Sequence, residues 1–258
     1  MASDNFVVLG ASGGIGSETC RRLRSLGSNL LLLGRNQEEL RLLRDELDAR
    51  FRVVDATSLD EVTEAILAES HHLGAINGIV NCVGSTLLKP AHLTSAGEWH
   101  DILTTNLTSA FNTIRVGYQV MKRNGGAIVL LSSAVAELGL ANHEAIAAAK
   151  AGVQGLMRSA AASYARRRIR VNAVAPGLVQ TRLSEPVWSN SKQLLASQSM
   201  HAMGRVGQPQ DVASIITWLL ASENDWVTGQ VFGIDGGLTT LRVPQKRTSS
   251  GGGSRQGG

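Results

Sequence analysis

A glycine-rich segment directly after a short apolar run restricts this chain more than any other feature of its sequence. The run 6–9 predicts a buried strand, and Gly10, Gly14 and Gly16 follow it before a helical pattern begins. Gly10 permits a tight turn, Gly14 lets the backbone approach a diphosphate, and Gly16 permits close packing of helix on sheet. Placed between a strand and a helix, the three glycines predict that a dinucleotide binds at the helix N-terminus.

Apolar, β-rich runs alternate with helical patterns along almost the whole chain. Strands that alternate with helices form a parallel sheet with helices on both faces. Because crossovers between parallel strands are right-handed, we predict a doubly wound α/β fold, a single Rossmann-fold domain over residues 1–241. The predicted strands are 6–9, 30–33, 51–54, INGIVN, AIVLLS, IRVNAVA and QVFGID, and the predicted helices include 97–123, 143–165 and 209–221.

Two spacings predict where helices begin. Asn36 with Glu39, and Ser58 with Glu61, have the separation of a capping box, in which two side chains bond to each other's backbone amides. Gly27 is placed to end the first helix. These signals predict one helix after Asn36 and another after Ser58.

Two segments break the alternation of strands and helices. Residues 178–207 are longer than an ordinary loop and mixed in composition, and we interpret them as a substrate-covering loop inserted in the domain. Residues 242–258 are basic and rich in glycine and serine, so we expect a disordered tail.

The charge and cysteine content argue against several classes of protein. The formal net charge of +4 comes from the tail, whose four basic residues account for the excess of 25 Lys and Arg over 21 Asp and Glu. The neutral body argues against a nucleic-acid partner. Two cysteines without ligand spacing indicate a reducing compartment, and we expect a cytoplasmic protein. No apolar run approaches the roughly 18 residues of a membrane span, so we expect no membrane partner.

The end of the second predicted strand distinguishes the two nicotinamide dinucleotides. An acidic residue there binds the ribose 2′-hydroxyl and repels a 2′-phosphate. This chain has Gly34 and then Arg35, whose guanidinium suits a phosphate. The alternative interpretation of Arg35 is a solvated charge at a strand end. We favour NADP(H) as the cofactor.

Further motifs occur in an order that is typical of one family. They are GASGGIG (10–16), Asp55 after the third strand, NCVG (81–84), Asn106 in NLTSAF, Ser133 in LLSSA, Lys150 in AAAKAGV, PGLVQT (176–181) and GIDGG. Over about residues 5–238 the chain resembles the classical short-chain dehydrogenase/reductases. The resemblance implies a nicotinamide-dependent oxidoreductase, and a homodimer or homotetramer formed through helices 107–123 and 143–165.

The resemblance also implies a set of cofactor contacts. In that family Asp55 and Ala56 would contact the adenine, and Asn81 and Gly84 would line the floor of the cofactor site. Lys150 would bond to the nicotinamide ribose, and Val179 and Thr181 would hold the carboxamide. The complete set is Gly10, Ser12, Gly14, Ile15, Gly16, Arg35, Asp55, Ala56, Asn81, Gly84, Lys150, Pro176, Gly177, Val179 and Thr181.

One position of the family pattern does not hold the expected residue. In that family a tyrosine four residues before the lysine transfers the carbonyl proton, and a serine 13 residues before the tyrosine orients the substrate. Ser133 and Lys150 are in this register, but the residue between them is Ile146, which cannot transfer a proton. Tyr164 and Tyr118 belong to other parts of the helical pattern, and neither is an obvious substitute.

Three explanations of this difference remain open. His143 could supply the proton, since it precedes Ile146 by about one helical turn. Alternatively, Ser133 polarises the carbonyl while a water held by Lys150 and Asn106 delivers the proton. In the third, the protein binds NADP(H) without turnover, as a sensor or partner subunit. The catalytic candidates are therefore Ser133, Lys150, Asn106 and His143.

A zinc site at the same helix start is excluded by the sequence. His143 and Glu144 begin the zinc-binding pattern H-E-x-x-H, but Ala147 occupies the position of the second histidine. We expect no metal.

The residues expected around the substrate are largely apolar, which favours a small hydrophobic substrate. We therefore predict an NADP(H)-dependent oxidoreductase that interconverts a carbonyl and an alcohol with a proton donor other than tyrosine. The competing prediction is a non-catalytic NADP(H)-binding protein. The expected pocket walls are Leu87, Leu88, residues 138–143, Leu183, Pro186, Val187, Trp188, Met200 and Met203.

Overall fold

A single parallel sheet organises the chain. The computed structural model describes residues 3–242, apart from the side chain of His71. Within this range the strands are β1 Asn5–Leu9, β2 Asn29–Gly34, β3 Arg50–Val53, β4 Gly78–Asn81, β5 Gly126–Leu131, β6 Ile169–Pro176 and β7 Val231–Ile234. They lie in the order β3-β2-β1-β4-β5-β6-β7, and every neighbouring pair is parallel.

Helices cover both faces of this sheet, which confirms the predicted doubly wound α/β fold. The longer helices are α1 Gly14–Ser25, α2 Gln37–Leu47, α3 Leu59–Leu73, α4 Ala96–Leu103, α5 Ser109–Met121 and α6 Glu144–Tyr164. Two helices follow β6, α7 Glu185–Trp188 and α8 Ser191–Met200, and α9 Pro209–Leu220 precedes β7.

Alternate strand residues pack on opposite faces of the sheet and build two separate cores. In β1, Val7 packs in one core with Met157 of α6, whereas Val8 packs in the other with Leu23 of α1 and Ile216 of α9. All five side chains are buried. Strands that are buried on both faces have continuous apolar sequences, which explains runs such as residues 30–33.

Each of the two predicted capping boxes forms only one of its two hydrogen bonds. The side chains of Asn36 and Ser58 accept bonds from the amides of Glu39 and Glu61, as predicted. The glutamates, however, do not return the bond: Glu61 accepts from the amide of Asp55 at 2.8 Å, and Glu39 bonds to Arg182. Tertiary partners therefore take both carboxylates away from the helix starts.

Residues 178–207, interpreted from the sequence as a substrate-covering loop, include the two helices α7 and α8; their role over the substrate stays a prediction. The amide of Met203 donates to the carbonyl of Gly236 at 3.0 Å and joins this segment to the chain after β7. Buried His201 donates from Nδ1 to the carbonyl of Ser197, and its Nε2 accepts from the amide of Leu178 at 3.3 Å. Of the predicted tail, Arg242 is described without regular structure, and residues 243–258 lie outside the described range.

A substitution at Gly16 tests the packing of α1 on β1. A Cβ on Gly16 would lie 2.1 Å from the carbonyl oxygen of Gly10, too close for a real contact. We expect Gly16→Ala to lower the free energy of unfolding by on the order of 3 kcal/mol or more, measured by urea denaturation.

The matched control is Gly97→Ala in the first turn of α4, where a Cβ would meet no atom within 4 Å. This variant is expected to be neutral or more stable by up to about 1 kcal/mol. Equal effects of the two substitutions would contradict the close approach at Gly16.

Candidate active site

The carboxyl ends of the strands open onto a groove of about 720 Å³. The groove lies where β1 and β4 are neighbours and the chain changes direction across the sheet, the usual ligand position in this type of fold. Nine of the residues predicted to bind the cofactor line it: Gly10, Ser12, Gly14, Ile15, Arg35, Asp55, Ala56, Gly84 and Thr181.

The glycine turn brings the start of α1 to the floor of this groove. Gly10 has a φ of +71°, and its carbonyl accepts a bond from the amide of Gly13 at 3.1 Å. Helix α1 starts at Gly14, and its N-cap residue provides no side-chain cap. The first amides of the helix are therefore left for an anion such as a diphosphate, as the sequence predicts.

Arg35 and Asp55 form the wall of the groove at the ends of β2 and β3. The amide and hydroxyl of Thr57 donate to Asp55 at 2.9 and 2.8 Å. The pKa of Asp55 is lowered, most by the hydrogen bond from the backbone amide of Thr57 and then by the Thr57 hydroxyl and the nearby Arg35 guanidinium. The wall therefore has a fixed carboxylate beside an arginine, an arrangement that can bind the polar groups of an adenosine.

Lys150 lies at the other end of the site, on the face of α6 that packs against the sheet. It is 7% exposed, and its Nζ donates to the carbonyl of Leu131 at 2.8 Å. Burial lowers the pKa of Lys150 to about 8. A Cβ on Gly84 would lie 3.5 Å from this Nζ and 3.2 Å from Oδ1 of Asn106. Lys150 and Asn106 thus flank a glycine that leaves space between them.

Asn106 lies in a π-helical turn, Thr104–Thr108, that separates α4 from α5 within the predicted helix 97–123. Its side-chain amide donates to the carbonyl of Ile102 and to the hydroxyl of Ser85, both at 3.0 Å. Its Oδ1 accepts from the amide of Ser85 at 3.2 Å. The asparagine therefore fixes the loop after β4 against the helix.

Ser133 and Ile146 occupy the two positions between which the family pattern places the reaction. Ser133 follows β5 and is partly exposed, and its Oγ lies 3.4 Å from the amide of Val135. Ile146 is 5% exposed and packs in an apolar cluster with Ile102 and Ala149. The helix face one turn before Lys150 is therefore an apolar wall.

His143 is the N-cap residue of α6 and is partly exposed. Its Nδ1 lies 2.7 Å from the carbonyl of Ala141. Because a carbonyl can only accept, Nδ1 carries a proton and donates it to Ala141. The hydrogen bond joins His143 to its own turn and not to Ser133 or Lys150.

The tyrosines lie away from this site. Tyr118 and Tyr164 pack against each other with ring centroids 4.7 Å apart. Tyr164 is the last residue of α6, which places it about 21 Å along the helix axis from Lys150. Neither tyrosine replaces Ile146 in this structure.

Some predicted cofactor residues support the groove without lining it. Asn81 is buried, donates to the hydroxyl of Ser109 at 3.3 Å and accepts from the amide of Val83. Gly177 packs against His201, and Val179 pairs with Gly207 in an isolated bridge. These residues, with Gly16 and Pro176, shape the backbone around the groove.

Other residues that line the groove were not predicted from the sequence as cofactor contacts. They are Glu39, Thr57, Val83, Thr105 and Arg182, together with Leu183 and Pro186, which the sequence assigned to the substrate pocket. The sequence predicts Glu39 to be a helix-capping residue. The three-residue spacing from Asn36 to Glu39 predicts a capping box, and no sequence pattern connects Glu39 to Arg182.

Cys82 follows β4 close to Lys150. Burial raises the pKa of its thiol to about 12. Because the thiolate is the reactive form, Cys82 is not a nucleophile at neutral pH.

A second cavity, of about 570 Å³, lies at the opposite end of β2 and β3. Glu69 lies in its wall and is held by Arg50 and Arg52 at 2.7 and 2.8 Å. Residues of the predicted site do not line this cavity, so we place the function at the carboxyl ends of the strands.

Two kinds of feature are absent from residues 3–242. In that range no helix has the length and apolar character to span a bilayer. The same residues contain no group of three or more His, Cys, Asp or Glu side chains arranged to hold a metal ion.

Curated proteins of similar sequence include several reductases. The chain is 32% identical to a tropinone reductase homolog of Arabidopsis thaliana over 93% of each sequence. It is 34% identical to the 3-oxoacyl-(acyl-carrier-protein) reductase of Thermotoga maritima, over 90% of this chain and 96% of that protein.

Solved structures agree with these matches. A short-chain type dehydrogenase/reductase of Mycobacterium ulcerans superposes with a TM-score of 0.89 at 27% identity, covering 94% of this chain and 92% of that one. An actinorhodin polyketide ketoreductase variant solved with NADPH gives a TM-score of 0.87 at 28% identity, covering 93% and 98%.

A family profile described as enoyl-(acyl carrier protein) reductase matches residues 10–239, nearly the whole of the described domain. This span contains the glycine turn, Arg35, Ser133 and Lys150. The chain therefore belongs to the short-chain dehydrogenase/reductase family of oxidoreductases.

Proposed function

We propose that this protein is an NADP(H)-dependent oxidoreductase that interconverts a carbonyl and an alcohol on a small hydrophobic molecule. The observation that carries the proposal is the buried Lys150, which lies beside Gly84 and Asn106 at the same edge of the sheet as the glycine turn. The names of the relatives, tropinone reductase homolog and 3-oxoacyl reductase, support reduction of a carbonyl.

The groove fits a phosphorylated dinucleotide. The uncapped amides at the start of α1 would hold the diphosphate, and Asp55 and Ala56 would contact the adenosine. Arg35 would bind the 2′-phosphate, since a guanidinium donates two parallel bonds to phosphate oxygens. The nicotinamide ring, when bound, supplies or accepts the hydride.

Lys150 is better explained by chemistry than by stability. A buried ammonium group is costly to desolvate, and its hydrogen bond here is to a backbone carbonyl, not to a carboxylate. One of its three N–H groups binds Leu131, which leaves two to bind a ribose hydroxyl and a water. In the proposed reaction Lys150 holds that water, the water delivers the carbonyl proton that Ile146 cannot supply, and the Lys150 ammonium group returns a proton to the resulting hydroxide.

Ser133 and His143 have different parts in this proposal. The Ser133 hydroxyl orients the substrate carbonyl at the end of β5. His143 is the alternative proton donor; because Nδ1 is bonded to Ala141, it would have to donate from Nε2 of the imidazolium form. His143 bonds to Ala141 at the start of α6 and not to Ser133 or Lys150, so we assign proton delivery to the water on Lys150.

A non-catalytic NADP(H)-binding protein is the second candidate. One specific observation favours it, the apolar cluster in which Ile146 is buried. Under either function the groove binds the same nucleotide, so only turnover separates them. Leu183 and Pro186 at the mouth of the groove would contact an apolar substrate in the catalytic case.

Stopped-flow measurement of NADPH oxidation with a panel of apolar aldehydes and ketones tests turnover. A positioned acid contributes about 10²–10⁴-fold in rate, so we expect slow, carbonyl-dependent oxidation by the wild type and a rate up to about 10²-fold higher for Ile146→Tyr. Ile146→Phe is the matched control, because it adds the ring without the hydroxyl. We expect His143→Ala to stay within about threefold of wild type.

Two results would contradict the proposal. If the wild type and Ile146→Phe never oxidise NADPH while Ile146→Tyr does, the protein is a binder and not an enzyme. If His143→Ala abolishes oxidation while the variant still binds NADPH, the histidine and not the water is the donor.

The stability of Lys150→Met tests the cost of the buried lysine. The pKa is 10.5 for an ordinary lysine and about 8 in the folded protein, so between these values the unfolded chain binds more protons. The stability of the wild type therefore rises with pH across this window. Below pH 8 the lysine destabilises the fold by on the order of 3 kcal/mol. We expect Lys150→Met to be more stable than wild type at pH 7, with the difference shrinking from pH 8 to 10.5.

Urea denaturation at several pH values measures this difference. Lys122→Met, at the exposed end of α5, controls for the loss of one lysine. A Lys150→Met variant that is less stable than wild type at pH 7 would show that the lysine has a structural role.

A further inference from the structure

An ion pair joins the two sides of the groove. Arg182 follows Thr181 in the segment between β6 and α9, and Glu39 is the third residue of α2. Nη1 of Arg182 lies 2.5 Å from Oε1 of Glu39, and Nη2 lies 3.4 Å from Oε2. Both residues line the groove, and Leu183 and Pro186 beside Arg182 line it as well.

Glu39 lies on the same wall as Arg35. Arg35, Asn36 and Glu39 line the groove together at the start of α2. The bond from Arg182, and to a smaller extent one from the Ser12 hydroxyl in the glycine turn, lower the pKa of Glu39. The carboxylate is therefore charged and lies between the glycine turn and the position proposed for a 2′-phosphate.

The ion pair is poorly explained as a stabilising contact. The Arg182 side chain is 76% exposed, and exposed ion pairs add little to stability. The carboxylate of Glu39 also does not accept a hydrogen bond from the backbone amide of Asn36, as it would in a capping box. The pair is better explained by its effect on what binds beside it.

An unpaired Glu39 would oppose a 2′-phosphate. A carboxylate in this groove repels a phosphate dianion, and like charges that face each other select against a ligand. The same carboxylate does not repel a ribose with a free 2′-hydroxyl, because that group is neutral. Neutralising Glu39 therefore changes the preference between the two nucleotides more than it changes nucleotide binding as such.

We propose that Arg182 is a specificity-determining residue for the cofactor, because it neutralises Glu39 and so permits a 2′-phosphate to bind next to Arg35. The inference rests on the proposed NADP(H)-dependent function. It assigns part of the nucleotide preference to the segment that we interpret as covering the substrate, in which Arg182 lies 143 residues away in sequence from Glu39.

Isothermal titration of NADP⁺ and NAD⁺ into wild type and three variants tests the inference. We expect Arg182→Gln to weaken NADP⁺ binding about tenfold and NAD⁺ binding less than about threefold. Glu39→Gln is expected to bind NADP⁺ at least as tightly as wild type. The double variant should recover wild-type NADP⁺ affinity to within about threefold, because it has no unpaired carboxylate.

Arg205→Gln is the matched control. Arg205 lies in the same segment, is 53% exposed and pairs with Asp211 at 2.7 Å, but it does not line the groove. Its removal changes the net charge equally and should leave the NADP⁺/NAD⁺ affinity ratio at the wild-type value. A ratio that falls equally for Arg205→Gln and Arg182→Gln would overturn the inference, because net charge alone would then explain it.

The remaining outcomes separate this inference from the proposed function. If wild type prefers NADP⁺ and Arg182→Gln keeps the same ratio, only the role of Arg182 is overturned. If the double variant stays as weak as Arg182→Gln, Arg182 binds the phosphate directly and the neutralising role is wrong. If wild type binds neither nucleotide or prefers NAD⁺, the proposed cofactor and the inference both fail.

Discussion

The contact between the backbone of Gly16 and the carbonyl of Gly10 is the constraint on which the site depends. With no side chain at either position, α1 begins against the end of β1, and its uncapped amides open into the groove. Thr181 then packs on Gly14, where a Cβ would lie 2.7 Å from its methyl carbon. The same turn therefore shapes the groove proposed for the nucleotide and fixes the position of the segment that carries Arg182.

Most of the fold could be predicted from the sequence because local and tertiary forces agree. Runs such as residues 30–33 are apolar on both sides since both faces of β2 are buried, and this makes them recognisable without a structure. Residues 191–200 are different, because their sequence lacks a clear apolar face. Contacts such as His201 with Leu178 fix the position of this segment, and a sequence pattern does not show such contacts.

The candidate site shows the same division. The glycines, Arg35, Ser133 and Lys150 lie on a regular framework, so their spacing along the chain predicts that they meet at one sheet edge. Glu39 could not be assigned in this way, because Asn36 is its neighbour in sequence whereas Arg182 is its partner in space. The lowered pKa of Lys150 follows from burial, which only the packing of α6 on the sheet reveals.

Ile146 and Lys150 together raise the question of which group donates the carbonyl proton in the proposed reaction. The buried Lys150, whose hydrogen bond is to a backbone carbonyl, supports the proposed chemistry, whereas Ile146 in an apolar cluster lies one turn before it, where the family resemblance implies a tyrosine. The proposed water on Lys150 would account for both observations, since the lysine has N–H groups to hold it.

The most direct test of the nucleotide site is a crystal structure of the protein grown with NADP⁺, in which the phosphorus atoms are located by difference density. We predict the diphosphate at the first amides of α1 and the 2′-phosphate within hydrogen-bond distance of Arg35. Density for the nucleotide elsewhere, or a 2′-phosphate directed away from Arg35 into solvent, would contradict this assignment.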